Sequence, residues 1–465
     1  MTEAHAMFQA STVPAAPLPR SRLPLGQFGW LYRNLPPCPA LDDQTLQAIS
    51  RSMMATKPAE HPRLPAGYTY FGQFIAHDLS FSPASMRQRQ DDPEALHNFR
   101  SPALDLDSIY GQGPQLQPFL YQKNKPFELL LGCGIDDWTD DLPRNLQGLA
   151  VVADPRNDEN ILQSQLCVVF LLLHNRLLRR VERDEGLTGH QAFARARRLL
   201  QWHYQWVVLN DYLPRILHPS VLARLGPEDG AGVRCWTTAC PRHFSPTTGA
   251  YIPVEFAAAA FRFGHSLVRE GYHLNPVLCQ HRNGQEVPLF HPDGEDLRGG
   301  AKLRAGWQVK WEDFLDGMHA QRSGLFDTHL ARPLGNVPVS AGKTLDLAKV
   351  DLALGQRMKL PCGQALARAM CIDRILTPEE VGLAGSAAKA TPLWYYILKE
   401  SEVLEKGLTL GRLGSEIVGE VLLGLVRLDR FSYLSLDPAW RPPASTRGAF
   451  GLLELIRMAS QYSKT

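Results

Sequence analysis

Neither sign of charge dominates this chain: 49 lysines and arginines stand against 47 acidic residues, for a net charge of +2. That balance supplies no single-sign field and argues against nucleic-acid or anionic-membrane binding. Close cysteine pairs are also missing. The eight cysteines, Cys38, Cys133, Cys167, Cys235, Cys240, Cys279, Cys362 and Cys371, are scattered with no C-x-x-C spacing. They read as mostly reduced core thiols rather than zinc ligands or a disulfide framework. Long apolar runs are absent too. The most hydrophobic stretch, Cys167 to Leu173, is bounded by Gln165 and by His174-Asn175-Arg176, far short of the ~20 apolar residues that a spanning helix needs. Residues Met1 to Ala10 carry acid and histidine where a secretory signal has a basic flank and an apolar run, so a cytoplasmic protein is the expectation.

What is present is enough apolar sequence, 44% of 465 residues, to build one large core or about two to three domains of ordinary size. Seven prolines fall between residues 11 and 40, so residues 1–35 read as an extended arm and residues 36–465 as the body it wraps. Apolar residues recur at three- and four-residue spacing over 158–183, 191–212, 254–270, 363–374 and 415–430, which predicts helices there. Thr377-Pro378-Glu379-Glu380 has the form of a capping box. Alternating strand patterns are rare and short, and no repeat period is visible. The expectation is a mainly α protein, a single large helical domain with long loops.

Three segments carry chemistry. In Gly72-Gln73-Phe74-Ile75-Ala76-His77-Asp78-Leu79, a helix would project Gln73 and His77 from one face. Asp154-Pro155-Arg156-Asn157-Asp158-Glu159-Asn160 sets an arginine and a carboxylate just before a long helical pattern ending in His174-Asn175-Arg176. Phe261-Arg262-Phe263-Gly264-His265-Ser266-Leu267 places a second histidine beside a glycine. In this order the segments resemble the animal-type haem peroxidases, the myeloperoxidase and cyclooxygenase superfamily, and most of all its bacterial branch. The likeness runs from Gly26-Gln27-Phe28-Gly29 to Asp437-Pro438-Ala439-Trp440.

The resemblance implies a helical haem-peroxidase domain with haem buried between the His77 and His265 segments. His77 would be the distal acid-base group, assisted by Gln73, and Arg156 the cation that polarises peroxide. His265 would be the axial iron ligand. Leu347 to Gln364 aligns with a segment of the bacterial branch in which an asparagine accepts the proximal imidazole N–H, and Asp351 stands at its place. A carboxylate there pulls harder on that proton and favours ferric iron. Arg100 to Gly111 resembles the family's calcium loop, with Asp105, Asp107, the Ser101 side chain, the Ala103 carbonyl and Asp78 as oxygen ligands.

Departures from the pattern narrow the chemistry. Ala76 replaces an ester-forming aspartate and Asn160 the methionine of myeloperoxidase, so a sulfonium link is excluded. One ester through Glu159 is open, and non-covalent haem b is the first expectation. Cys167 stands where relatives have histidine. The radical tyrosine of the fatty-acid oxygenases corresponds to Arg262, which disfavours that chemistry, although Tyr251 and Tyr272 lie nearby in sequence. The resemblance therefore implies an enzyme that reduces hydrogen peroxide through a ferryl intermediate and oxidises a small phenolic or aromatic-amine substrate. Two other readings stay open: a haem-dependent oxygenating enzyme of lipid or natural-product metabolism, and a haem-binding protein without turnover. The loops around Trp138, Trp236 and residues 280–335 carry no readable code for a substrate, and oligomeric state is also left open.

Overall fold

The structure is a computed structural model, and it describes residues 26, 28–81, 97–136, 140–228, 234–239, 241–246, 249–316, 319–340, 342–442 and 450–460. Most of the expected arm, and Trp138, lie outside these residues.

Helix Gly67–Leu79 buries ten of its residues, so it has almost no solvent face and must sit inside other helices. Aromatic rings hold it there. Phe74 stacks on Phe170 with centroids 4.4 Å apart, and Phe71 and Phe74 meet Tyr204 edge-on. Phe170 belongs to helix Ile161–Asp184 and Tyr204 to helix Gly189–Val207. Removing a fully buried ring such as Phe74 costs about 3–5 kcal/mol, so this lattice rigidly sets the helix that carries Gln73, His77 and Asp78. Gly72 is needed for the same packing: a Cβ there would meet the Tyr212 hydroxyl at 2.4 Å.

Tyr212 reaches that position from a π-turn, Val208–Tyr212, which links Gly189–Val207 to helix Leu213–Ile216. The pattern over 191–212 is therefore one helical run with a widened turn. Asp211 in that turn accepts the Tyr68 hydroxyl at 2.7 Å and the Leu452 N–H at 2.8 Å. It thereby ties the C-terminal helix Leu452–Ser460 to the centre.

Helix Ile161–Asp184 is long and apolar enough, by length and composition, to cross a membrane. However, 89% of its apolar window is buried inside the protein, as in a core helix. It begins where Asn160 accepts the Gln163 N–H, and a separate 3-10 turn, Pro155–Asp158, precedes it. The predicted 415–430 helix spans Arg412–Leu428. The 363–374 helix closes early, at Ala369, and Cys371 follows with a positive φ of 54°. Thr377 and Glu380 form the expected capping box.

The largest difference concerns residues 254–270, where one α-helix was expected. A single α turn, Val254–Ala257, is followed by a 3-10 helix, Ala260–Leu267. Ala259, at φ −141° and ψ −71°, separates them. Phe256 stacks on Phe261 across the break at 4.7 Å, so ring packing rewards the irregular backbone. Helices Leu393–Leu404 and Arg412–Leu428 pack against this segment, and helix Leu347–Arg357 packs against Leu393–Leu404.

Strands are minor: the described residues form six two-stranded pairs and no larger sheet. One pair sets Phe28–Gly29 parallel to Ile252–Pro253, and Glu255 accepts the N–H groups of Leu31 and Tyr32. The end of the arm is thus fastened to the start of the 254–267 segment. None of the seven described cysteines is in a disulfide, and only Cys167 is fully buried; the others are half-buried or exposed, so the expectation of core thiols fails for them.

Candidate active site between two helical segments

His77 is buried, and its Nδ1 lies 3.1 Å from Asn157 Oδ1. The Asn157 amide is oriented by its other end, whose Nδ2 donates to the Ser108 carbonyl at 3.2 Å. An oxygen facing Nδ1 requires the proton on Nδ1, leaving the Nε2 lone pair free. Burial, reinforced by the neighbouring Arg156 cation, lowers the His77 pKa to about 3. The ring is a neutral acceptor at physiological pH, and Nε2 points toward Glu159, 3.9 Å from Oε2.

Arg156 is held beside it. Its Nε and Nη2 donate to the two oxygens of Asp154 at 3.1 and 2.7 Å, and Nη2 also reaches the His77 carbonyl at 3.0 Å. Asp154 receives Arg100 as well, at 2.7 Å. Burial alone would raise the Asp154 carboxyl, but the two guanidiniums hold it well below the usual range. The guanidinium of Arg156 lies 4.7 Å from the Phe81 ring centroid. Among the described residues its Nη1 makes no hydrogen bond.

Gln73 bridges two residues of the following turn: Nε2 donates to Glu159 at 3.1 Å, and Oε1 accepts from Asn160 at 3.3 Å. The segment after Asp296 lies across this turn. Ile161 donates to the Leu297 carbonyl and Gly299 to the Glu159 carbonyl, and a Cβ on Gly299 would meet Asp158 O at 2.0 Å. Cys167 sits behind this group, buried and hydrogen-bonded to Asn157. It is therefore part of the packing that holds the partner of His77.

On the opposing segment, His265 and Arg262 meet one carboxylate. His265 Nδ1 lies 2.5 Å from Asp351 Oδ2, and Arg262 Nη1 donates to Asp351 Oδ1 at 2.8 Å. A 3-10 helix aligns residues three apart, which is why both side chains face Asp351. Asp351 is completely buried. Burial would raise its carboxyl, but His265 and Arg262 together bring it below the ordinary value. Trp394 Nε1 donates to the Arg262 carbonyl at 3.2 Å, and its ring stands 6.4 Å from that of His265.

These two groups face a common slot. The Glu159 side chain is 53% exposed, yet burial still raises its carboxyl pKa and His265 acts on it electrostatically. The His265 side chain is 29% exposed although its element packs on five others, and a Cβ on Gly264 would touch nothing within 4 Å. An imidazole with its second nitrogen anchored, open space beside it and a neutral base across the slot fit an axially ligated haem.

Asp78, Asp105 and Asp107 bring carboxylate oxygens within 4.8 Å of one another. Asp78 accepts from Leu106 N and Ser108 Oγ, Asp105 from Ser101 Oγ at 2.7 Å, and Asp107 from Ser101 N at 2.8 Å. Leu106 adopts a φ of 61° to turn the loop. Burial raises all three carboxyls, Asp107 to about 7. Its Oδ1 is buried without a hydrogen-bond partner. Its nearest cationic neighbour is Arg100, 3.7 Å away, and an oxygen-only set with an acceptor that lacks a hydrogen bond suits a hard cation. Ala103 lies in the same loop, half-buried.

Sequence reasoning missed Asn157, Asp154 and the pairing of Arg262 with Asp351. The Asp-Pro-Arg-Asn turn signals the first two, because Asp154 caps the 3-10 turn that presents Arg156. Of the two tyrosines near His265 in sequence, Tyr251 donates to the Trp30 carbonyl, and Tyr272 is buried and accepts the Arg269 N–H. Trp236 is buried too, with its indole N–H on Asn210.

The model of the animal haem peroxidase family matches residues 84–371, more than half of the chain. The match begins after His77 and includes Arg156, His265 and Asp351. A peroxidase-like protein of Margaritifera margaritifera is 25% identical over 393 residues, covering 74% of this chain and 46% of the relative. Peroxidase mlt-7 of Caenorhabditis elegans is 30% identical over 291 residues, covering 58% and 36%. The chain thus spans less than half the length of these curated relatives. Among solved structures, peroxidase A from Dictyostelium discoideum superposes with a TM-score of 0.63 at 17% identity, over 90% of this chain and 89% of that one. The fatty acid alpha-dioxygenase of Arabidopsis thaliana gives 0.58 at 15% identity, over 94% and 76%. Likeness at those identities establishes the fold alone.

Proposed function

Because the chain belongs to the animal haem peroxidase family, we propose that it is an oxidoreductase that binds haem b in the slot between His77 and His265 and uses hydrogen peroxide to oxidise a small organic reductant of phenol or aromatic-amine type. When bound, haem supplies the iron that accepts peroxide and the oxidising equivalents passed to the reductant. The chain's own residues do the rest. His77 Nε2, unprotonated at neutral pH, takes the proton of the inner peroxide oxygen and returns it to the outer one, so that water leaves. Arg156, braced by Asp154, presents its free Nη1 to the peroxide and stabilises charge as the O–O bond weakens. Gln73 orients Glu159 and Asn160 beside the base.

His265 would hold the iron through Nε2 while Asp351 accepts its Nδ1 proton. The haem would be held non-covalently, and Glu159 is the carboxylate through which an ester to the macrocycle would form. Asp78, Asp105, Asp107, Ser101 and the Ala103 carbonyl hold calcium, which couples the loop to the helix carrying His77. The observation that carries this reading is the neutral His77, anchored through Nδ1, across a slot from the His265–Asp351 pair.

The test is product analysis with oxygen-18-labelled hydrogen peroxide and a phenolic reductant. Coupled phenols with the label recovered in water support the peroxidase. Labelled oxygen in the product, or peroxide-independent dioxygen uptake with a fatty acid, would replace it with an oxygenating role.

A further inference from the structure

Cys38 and Cys362 take no part in the slot, and the fold brings them together. The Cys38 N–H donates to the Leu360 carbonyl at 2.7 Å, and Gly363 N–H to the Thr391 carbonyl at 2.9 Å. Cys38 Sγ lies 3.3 Å from the Ala390 carbonyl and within hydrogen-bonding reach of the Cys362 side chain. Both ends of Leu41 are gripped by the Gln356 amide. Cys38 stands between Pro37 and Pro39, and Cys362 follows Pro361, so fixed φ angles hold both backbones.

The two thiols also differ as nucleophiles. Cys38 Sγ donates to the Ala390 carbonyl, which keeps the proton on this thiol, and its pKa is raised, whereas the contact with Cys38, then the Ala365 N–H and Arg368, lower that of Cys362. Cys362 is therefore the thiolate of the pair and Cys38 the proton-bearing partner. Both are half-buried, open to a small oxidant. Cys167, by contrast, is buried, and the half-buried Cys235 has threonine hydroxyls beside it.

We propose that Cys38 and Cys362 form a peroxide-reactive dithiol that closes to a disulfide and clamps the N-terminal segment onto the chain following the Asp351 helix. The Cys362 thiolate attacks one oxygen of hydrogen peroxide. An S–O bond forms, the O–O bond breaks, and the departing hydroxide takes up a proton to become water. Cys38 then attacks the sulfenic sulfur: an S–S bond forms, the S–O bond breaks, and the leaving hydroxide is neutralised by the Cys38 proton. Two thiols are oxidised by two electrons and one peroxide is reduced to two waters. This chemistry uses no haem and stands apart from the function proposed above.

The link would act on a segment already docked to helix Leu347–Arg357. Lys349 pairs with Asp43, and Asp346 accepts from Ser50 and Gln47. A covalent bond at the other end of this contact fixes the helix that presents Asp351.

The experiment uses the full-length, haem-loaded, reduced chain, freed of reductant, exposed to about one equivalent of hydrogen peroxide, alkylated and read by peptide mass spectrometry. A Cys38–Cys362 cross-link should be the dominant thiol product, formed at least as fully in His77→Ala, where haem competes less for the peroxide. Cys38→Ser should give a dimedone adduct on Cys362, and Cys362→Ser should slow thiol loss about tenfold or more while Cys38 stays reduced. Circular dichroism of both serine variants confirms that they fold. The proposal is overturned if Cys38 and Cys362 stay alkylatable while Cys235 or Cys371 oxidises, or if the cross-link requires His77.

Discussion

Asp351 meets two donors, the His265 imidazole and the Arg262 guanidinium, and its effect on His265 depends on both. Alone, a carboxylate on Nδ1 would draw the imidazole toward anionic character and favour ferric iron. Arg262 takes the other oxygen and tempers that pull. Asp351→Asn should therefore raise the Fe(III)/Fe(II) midpoint of the haem-loaded protein, and Arg262→Gln should lower it, each on the order of 60 mV, the equivalent of a tenfold change in a one-electron equilibrium. Spectroelectrochemical titration reads both; an unchanged midpoint in either variant removes that residue from the account. At this scale the sequence was informative where a motif carries its own spacing. Gln73, His77, Arg156, His265 and Asp351 could all be named from it, and the structure sets Gln73, His77 and Arg156 in one group and His265 with Asp351 in another. It was silent where a partner comes from a loop or depends on local winding. Asn157 matters because its amide is turned by Ser108, and Arg262 reaches Asp351 only because its segment is wound as a 3-10 helix.

Elements position these residues in pairs. Helix Gly67–Leu79 is fixed on one side by the Phe74–Phe170–Tyr204 lattice and on the other by the loop of Asp105 and Asp107, through Asp78. Three carboxylates facing one another, one buried and two half-buried, repel, so a cation there should stabilise the element more than any single hydrogen bond. Calcium at about 100 times its dissociation constant should stabilise the folded protein by about 2.7 kcal/mol, visible as a higher melting temperature that chelator reverses. Asp107→Asn should abolish most of that shift. No calcium response, or an unchanged one in the variant, would contradict the site. Helix periodicity revealed most of these elements, because burial on one face leaves a pattern. It could not reveal the break at Ala259 or the widened turn at Val208–Tyr212, since ring packing and buried hydrogen bonds, not apolar spacing, decide backbone winding there.

At the scale of the molecule, the mainly α architecture follows from many amphipathic segments and almost no alternating ones. The interior also holds charge-bearing groups whose cost depends on pH. Glu400 is fully buried and accepts the Leu413 N–H at 3.0 Å, and burial pushes its pKa up to about 8. The folded state keeps this proton where the unfolded chain has lost it, so stability is greatest below the unfolded pKa, about 4.3. It should fall by roughly 1.4 kcal/mol per pH unit as pH rises toward 8. Glu400→Gln should flatten that slope in denaturant titrations across pH; an unchanged slope would place the dependence elsewhere.

The account turns on His77 as the base of a peroxide-reactive slot, and stopped-flow absorbance of the haem-loaded protein mixed with hydrogen peroxide tests it most directly. Wild type should show a rapid Soret change, slowed by about 10²–10⁴-fold in His77→Ala with the resting spectrum unaltered. An inert wild type, or a variant that reacts as fast, would contradict it.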